Sequence, residues 1–335
     1  MSECCKNSFD KDRYSKMKYR RSGKSGLKLP EISLGFWQSL GEPGNEDVCR
    51  KCMYYAFDNG ITHFDLANNY GPPPGNSELV VGKILKDMPR DELIISTKAG
   101  YGMWPGPYGD NGSKKYLVAS LDQSLKRLGL DYVDIFYHHR PDYETPLEET
   151  LDALNLIVKQ GKALYIGLSN YNGGYFSQAV EIIKKNGWAP ITINQPNYSM
   201  LDRWIENDLL PQTDEFGSGV IVFCPLSQGI LTDRYLNGLP VDSRMGRQGE
   251  YGKKWYEDRK AEGLWNKIAN LNEIAKERGQ SVSQLAISWI LRDSRITSVL
   301  IGVSKVDQLK ENIAAANAPA LSNDEIEKIE KILKG

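Results

Sequence analysis

The chain contains no apolar run that approaches the roughly 20 residues a membrane-spanning helix needs, so membrane insertion is not expected. It has no excess of charge of either sign. Its 42 Lys and Arg are balanced by 43 Asp and Glu, for a net charge of -1, which excludes the electrostatic footprint of a nucleic-acid binder. Its opening stretch, MSECCKNSFDKDRYSKMK, lacks the apolar centre of a secretory signal, so the expected compartment is the cytoplasm. Residues 1–17 read as a flexible N-terminal extension. Cysteine is scarce and odd in number, at five, which argues against a disulfide framework. Cys49 and Cys52 form a C-x-x-C, and Cys4 and Cys5 would complete a thiolate set for zinc. However, Val48, Cys52, Tyr55 and Cys49, Met53, Ala56 recur at helical spacing. That buries the pair inside an amphipathic helix, so no metal site is expected. No G-x-G-x-x-G follows any early strand, and the nearest stretch, GYGMWPG, lacks the last glycine in register.

What is present is a regular alternation. Short β-rich apolar runs occur at 31–37, 62–65, 93–97, 132–137, 163–168, 191–194, 219–224 and 298–302, each followed by a helical pattern. Asn45 and Gly60 bracket one helix as cap and stop, and Thr145 and Gly161 bracket another. Runs that are apolar throughout suit strands buried on both faces of a parallel sheet. Eight strand–helix units in one domain, residues 18–335, predict a (β/α)₈ barrel of the TIM type. Three segments fall outside the repeat. Residues 17–30 read as a hairpin plugging the barrel floor. Residues 100–112 form a Gly/Pro/aromatic loop after strand three. Residues 232–263 form a long polar insertion after strand seven, with the length of a functional lid.

In such a barrel, chemistry collects where strands end. The residues at those exits are Trp37, Asp65, Lys98, His139, Ser169 with Asn170, Gln195, Cys224 and Gly302. Asp65 and Lys98 end adjacent strands, and a lysine in a barrel mouth needs such a partner. Tyr70 follows on the stiff loop NNYGPPPG. A neighbouring ammonium is expected to lower its pKa toward a useful range. Only three histidines exist, His63, His138 and His139. Strand alternation sends the last two to opposite faces and puts His63 below Asp65 on the same face. An acid, a base-tuned phenol and a histidine suit carbonyl reduction, in which an alkoxide must be stabilised and protonated. Hydride must then come from a nicotinamide. Ser169, Asn170 and Gln195 suit its carboxamide. Ser304 with Asp307 reads as a capping box opening a helix marked by Val306, Leu309 and Ile313. With Lys305, Arg234 and Arg244 it forms a candidate anion site.

These stretches resemble the aldo-keto reductase superfamily over residues 18–333. FDLANNYG, STK, DYVDIFYHHRPD, GLSN, NQPNYSMLDR, CPLSQGILTDRY and IGVSKVDQLKENIAA carry the likeness. NNYGPPPG and AGYGMWPGPYG resemble in particular the L-glyceraldehyde 3-phosphate reductase branch and the β-subunits of voltage-gated potassium channels. The resemblance implies an NADPH-dependent barrel reductase of small aldehydes with a catalytic tetrad of Asp65, Tyr70, Lys98 and His139. It implies cofactor contacts at Trp37, Asp65, Ser169, Asn170 and Gln195, and along Cys224, Pro225, Leu226, Gln228 and Gly229. Further contacts are implied at Arg234, Arg244, Gly302, Ser304, Gln308, Glu311 and Asn312. Tyr101 and Trp104 would wall a substrate pocket together with Tyr70 and His139. Where many relatives carry an aromatic ring at the end of strand seven, this sequence has Cys224. Two other readings compete. One is a Schiff base on Lys98, which pairing with Asp65 disfavours. The other is a cofactor-sensing regulatory subunit like the channel β-subunits. Self-association into a homo-oligomer is left open.

Overall fold

A computed structural model describes residues 9–334. A two-stranded antiparallel hairpin, β1 (Tyr19–Arg21) and β2 (Lys28–Pro30), precedes the barrel. The repeat then runs β3 (Ile32–Gly35), α1 (Glu46–Asp58), β4 (His63–Asp65), α2 (Asn76–Leu85), β5 (Ile94–Ala99) and α3 (Lys114–Leu128). It continues with β6 (Val133–His138), α4 (Leu147–Lys159), β7 (Ala163–Ser169), α5 (Gly173–Asn186), β8 (Ile191–Gln195) and α6 (Leu209–Phe216). The last turn is β9 (Gly219–Val222), α7 (Gly249–Ala261), α8 (Leu264–Glu277), α9 (Val282–Leu291), β10 (Ile296–Gly302), α10 (Val306–Ala314) and α11 (Asn323–Lys334). Strands β3 to β10 close in sequence order into an eight-stranded parallel barrel, with β10 pairing back onto β3. This is the expected (β/α)₈ architecture.

Alternation along each strand separates two cores. Phe64, Ile95, Phe136, Ile166, Val220 and Val299 point outward into the layer between barrel and helices. Inside, Ile135, Tyr137, Ile193, Ile221 and Leu300 pack with Leu27 and Leu29 of the hairpin. The hairpin therefore plugs the barrel, as its turn residues suggested. Ser22 secures it, its hydroxyl donating to the Thr192 carbonyl at 3.0 Å.

Several local expectations are corrected. Residues 1–8, with Cys4 and Cys5, lie outside the described residues. Residues 9–17, read as part of a flexible extension, pack on α1: the Phe9 ring stands edge-on to Tyr54 and Phe57 at 5.3 and 4.9 Å. Helix α4 has Pro146 rather than Thr145 at its N-cap, whereas Asn45 is the N-cap of α1 as expected, with its side chain donating to the Ser39 carbonyl instead of accepting from a helix amide. Strand β9 stops at Val222, two residues short of the expected end; Phe223 makes only an isolated bridge to Asn197, and Cys224 then turns away at a left-handed φ of 56°. The long insertion is not a plain loop, for it contains α7. Trp255 and Tyr256 of α7 and Trp265 of α8 gather against Tyr235 and one another at 5.0–5.9 Å, holding that polar helix down. Cys49 and Cys52 are fully buried in α1, and burial pushes the Cys52 thiol up to about 11. Such thiols neither ligate metal nor react readily.

Gly167 on β7 shows how closely the interior is packed. A Cβ there would lie 2.4 Å from two ring carbons of Tyr137 and 2.9 Å from the Ile193 carbonyl oxygen. Gly167→Ala is expected to lower unfolding stability by about 1–3 kcal/mol through overpacking, measured as a shift in urea midpoint at constant m-value.

Candidate active site

The barrel mouth brings the four proposed catalytic residues together. Asp65 ends β4 and Lys98 is the penultimate residue of β5, and both side chains are completely buried. Lys98 Nζ donates to Asp65 Oδ2 at 2.5 Å and to the Leu66 carbonyl at 2.6 Å. Asp65 Oδ1 accepts from Ser96 Oγ at 2.5 Å and Gln195 Nε2 at 3.2 Å. A buried ion pair survives only when further hydrogen bonds satisfy both partners, and here they do.

Tyr70 lies above this pair, with Lys98 Nζ 4.9 Å from its ring centroid. Its carbonyl accepts from the amides of Gly75 and Ser77, which pins the loop that carries it. The His139 ring stands edge-on to Tyr70 at 5.8 Å and to Tyr101 at 4.7 Å. His138 points the other way, its Nδ1 2.7 Å from the Tyr171 hydroxyl, as strand alternation required. Burial, reinforced by Lys98, holds His139 well below the ordinary histidine range, so it is neutral at pH 7. One expectation is reversed. Burial pushes the Tyr70 phenol well above 10 rather than down. The Lys98 ammonium is committed to Asp65 and Leu66, and desolvation of the phenolate outweighs its attraction.

The surrounding residues fall into two groups. Tyr101 borders His139 and carries the Arg140 guanidinium 4.5 Å over its ring. Trp104 packs on Tyr116 at 5.2 Å, and the Tyr116 hydroxyl donates to the Tyr101 carbonyl, so Trp104 braces the Tyr101 loop. On the other side, Ser169 Oγ donates to the Gln195 carbonyl, and Asn170, at φ 61°, donates to the His139 carbonyl. The run Cys224–Gly229 is irregular, with left-handed φ at Cys224, Ser227, Gln228 and Gly229. Trp37, 45% exposed at the β3 exit, has the Arg244 guanidinium 4.9 Å over its ring.

Other predicted positions are engaged elsewhere. Arg234 pairs with Asp242 at 2.8 Å. Glu311 accepts from Ser281 of the α9 cap at 2.6 Å, and Asn312 is buried in α10. The Ser304–Asp307 capping box does not form. Helix α10 begins after Lys305, and Gln308 Oε1 takes both the amide and the hydroxyl of Ser304. A group absent from the sequence reading is Ser96, which holds Asp65. Its place two residues before Lys98, on the same strand face, was the available signal.

The residues present fit a nicotinamide dinucleotide. A Cβ on Gly302 would meet nothing within 4 Å, so the β10 exit offers open backbone. An exposed ring under a guanidinium stands at the neighbouring β3 exit, and Lys305 precedes α10. Among the described residues, no cluster of His, Cys, Asp and Glu is arranged to hold a metal, and no helix is long and apolar enough to cross a membrane.

The fold and this mouth define an oxidoreductase barrel, and sequence comparison agrees: residues 31–334 match the Aldo/keto reductase family model, and the chain belongs to that family. It is 51% identical over 325 residues to L-glyceraldehyde 3-phosphate reductase of Escherichia coli K12, covering 96% of this chain and 93% of that protein. It is also 35% identical over 321 residues to a putative voltage-gated potassium channel subunit beta of Schizosaccharomyces pombe, covering 94% and 93% of the two chains. A probable channel subunit beta of Oryza sativa subsp. japonica is 32% identical, covering 95% and 97%.

Burial also sets a stability profile. His63 and His138 are held down to about 4 in the folded protein. An unfolded chain binds protons at these groups from about pH 6.5. Stability is therefore full above that pH and declines as pH falls toward 4. Between pH 7.5 and 5.0 each histidine is expected to cost about 2 kcal/mol. Urea unfolding at the two pH values, with His138→Gln as the comparison, measures it.

Proposed function

We propose that this protein reduces small aldehydes to alcohols with NADPH, using Tyr70 as proton donor. The observation that carries this reading is the convergence, at one barrel mouth, of the buried Asp65–Lys98 pair, the Tyr70 ring above it and the neutral His139 beside it. The 51% identity to a protein named as a glyceraldehyde phosphate reductase supports the substrate class. Identity to the channel subunits is lower, at 32–35%, which favours an enzyme over a regulatory subunit.

When bound, a reduced nicotinamide supplies the hydride. The chain's residues do the rest. His139 is neutral and hydrogen-bonds the carbonyl oxygen, orienting it without placing a cation in the pocket. Tyr70 retains its proton through neutral pH because burial raises its pKa. It releases that proton only to the strongly basic oxygen that develops as the carbonyl carbon is reduced. The phenolate left behind sits beside the Lys98 ammonium, which stabilises the charge at the moment it appears. Lys98 is completely buried and committed to two acceptors, which disfavours Schiff-base chemistry.

Trp37, Ser169, Asn170, Gln195, the run Cys224–Gly229 and the start of α10 would hold the cofactor, with Arg244 meeting the 2′-phosphate. Cys224 places no ring against the nicotinamide.

Tyr70→Phe is expected to lower kcat for glyceraldehyde reduction at least about 100-fold while leaving the NADPH Kd nearly unchanged. Stopped-flow turnover and fluorescence titration test this, and undiminished turnover refutes it. Arg244→Glu is expected to weaken NADPH about 10- to 100-fold, as the loss of a charge-assisted hydrogen bond predicts, and NADH far less. Equal weakening of both would remove Arg244 from the 2′-phosphate site.

A further inference from the structure

Below Asp65, four buried side chains from four strands form a single file across the inner wall of the barrel. Ser298 Oγ of β10 is 2.6 Å from Ser33 Oγ of β3. Ser33 Oγ is 2.9 Å from His63 Nδ1 of β4. His63 Nε2 is 2.9 Å from Ser96 Oγ of β5, and Ser96 donates at 2.5 Å to Asp65 Oδ1. All five side chains are fully buried. Across the interior, Ile135 of β6, Ile193 of β8 and Ile221 of β9 pack with the hairpin leucines in an apolar cluster.

The direction of this chain follows from its end. The Asp65 carboxylate accepts only, so the single Ser96 proton points at it. Ser96 Oγ must then accept from His63, which puts the imidazole proton on Nε2. In the neutral ring Nδ1 is left as an acceptor, so Ser33 donates to it. Ser33 in turn accepts from Ser298. Every donor points toward Asp65, and hydrogen bonds aligned in series polarise one another. Burial keeps the His63 ring neutral, with its pKa down to about 4, as this order requires.

We propose that Ser298, Ser33, His63 and Ser96 are positioning residues, a directed hydrogen-bond relay that fixes the Asp65 carboxylate so that its second oxygen stays on Lys98 beneath Tyr70. None of the four touches the reacting atoms. Their influence passes through Ser96 to Asp65, then to the ammonium that stabilises the Tyr70 phenolate. The kinetic consequence rests on the reductase reading above, whereas the proton order along the relay does not.

Two measurements test it. Long-range ¹H–¹⁵N NMR on histidine-labelled protein distinguishes imidazole tautomers, and with three histidines in the chain, loss of one signal set in His63→Gln assigns His63. The expected result is the Nε2–H form alone between pH 5.5 and 8.5; an Nδ1–H form or a tautomer mixture overturns the relay. The second measurement is Ser33→Ala, which removes a link that does not contact Asp65. It is expected to lower kcat for glyceraldehyde about 3- to 10-fold, the worth of one or so net hydrogen bonds, with KM and NADPH Kd unchanged and Ser33→Thr restoring the rate. An unchanged kcat, or a loss that merely tracks the folded fraction at the assay temperature, overturns the positioning role. A wild-type protein that turns over no aldehyde defeats the reductase reading instead, and the tautomer measurement still decides the relay.

Discussion

An ion pair without solvent, Asp65 with Lys98, is the constraint around which this barrel is arranged. Removing two charges from water costs several kcal/mol per ion, and attraction between them repays this only with good geometry and further partners. The chain supplies those partners from four places: a serine on β5, a glutamine ending β8, the Leu66 carbonyl and the Tyr70 ring. They come from β5, from the end of β8 and from the loop that follows β4. A closed parallel barrel is an architecture that brings such exits to one rim. Fold and site are therefore linked physically: opening the barrel would strand a charge.

The dryness of the mouth has a structural source at the opposite end. Leu27 and Leu29 of the N-terminal hairpin enter the interior and pack with Ile135, Ile193 and Ile221. The low-dielectric medium they help create strengthens the interactions of Asp65 and Lys98. It also raises the Tyr70 phenol and lowers His139. The same environment makes the relay of serines and His63 necessary, since buried hydroxyls and an imidazole without partners would each carry a desolvation cost.

Much of this was legible in the sequence because it is local. Strand periodicity gave the eight strands within a few residues, and reading the exits gave Asp65, Lys98, Ser169 and Gln195 directly. What escaped depends on register and packing. Ser33 and Ser298 lie 265 residues apart and meet only because β10 closes against β3. Alternation alone predicts that both point inward, not that they touch. The Ser304–Asp307 box failed for a related reason, since a glutamine one turn into α10 reaches back to the same donors. Helix α7 was hidden by its polar surface. Its anchoring aromatics, Trp255 and Tyr256, find Trp265 and Tyr235 only in three dimensions.

The reversal at Tyr70 bears on how the site works. A phenol whose pKa was simply lowered by an adjacent ammonium would ionise early and leave no proton to give. Here desolvation dominates, so in the proposed reduction the proton stays until a more basic oxygen forms nearby. In that mechanism the ammonium, 4.9 Å from the ring, meets a charge that did not exist in the ground state. An interaction that strengthens only as the reaction proceeds accelerates it, whereas one already present in the resting enzyme does not. On the proposed mechanism, holding Lys98 on Asp65 rather than on the Tyr70 hydroxyl keeps that stabilisation in reserve, and the proposed relay beneath Asp65 would keep the carboxylate turned so that Lys98 remains there.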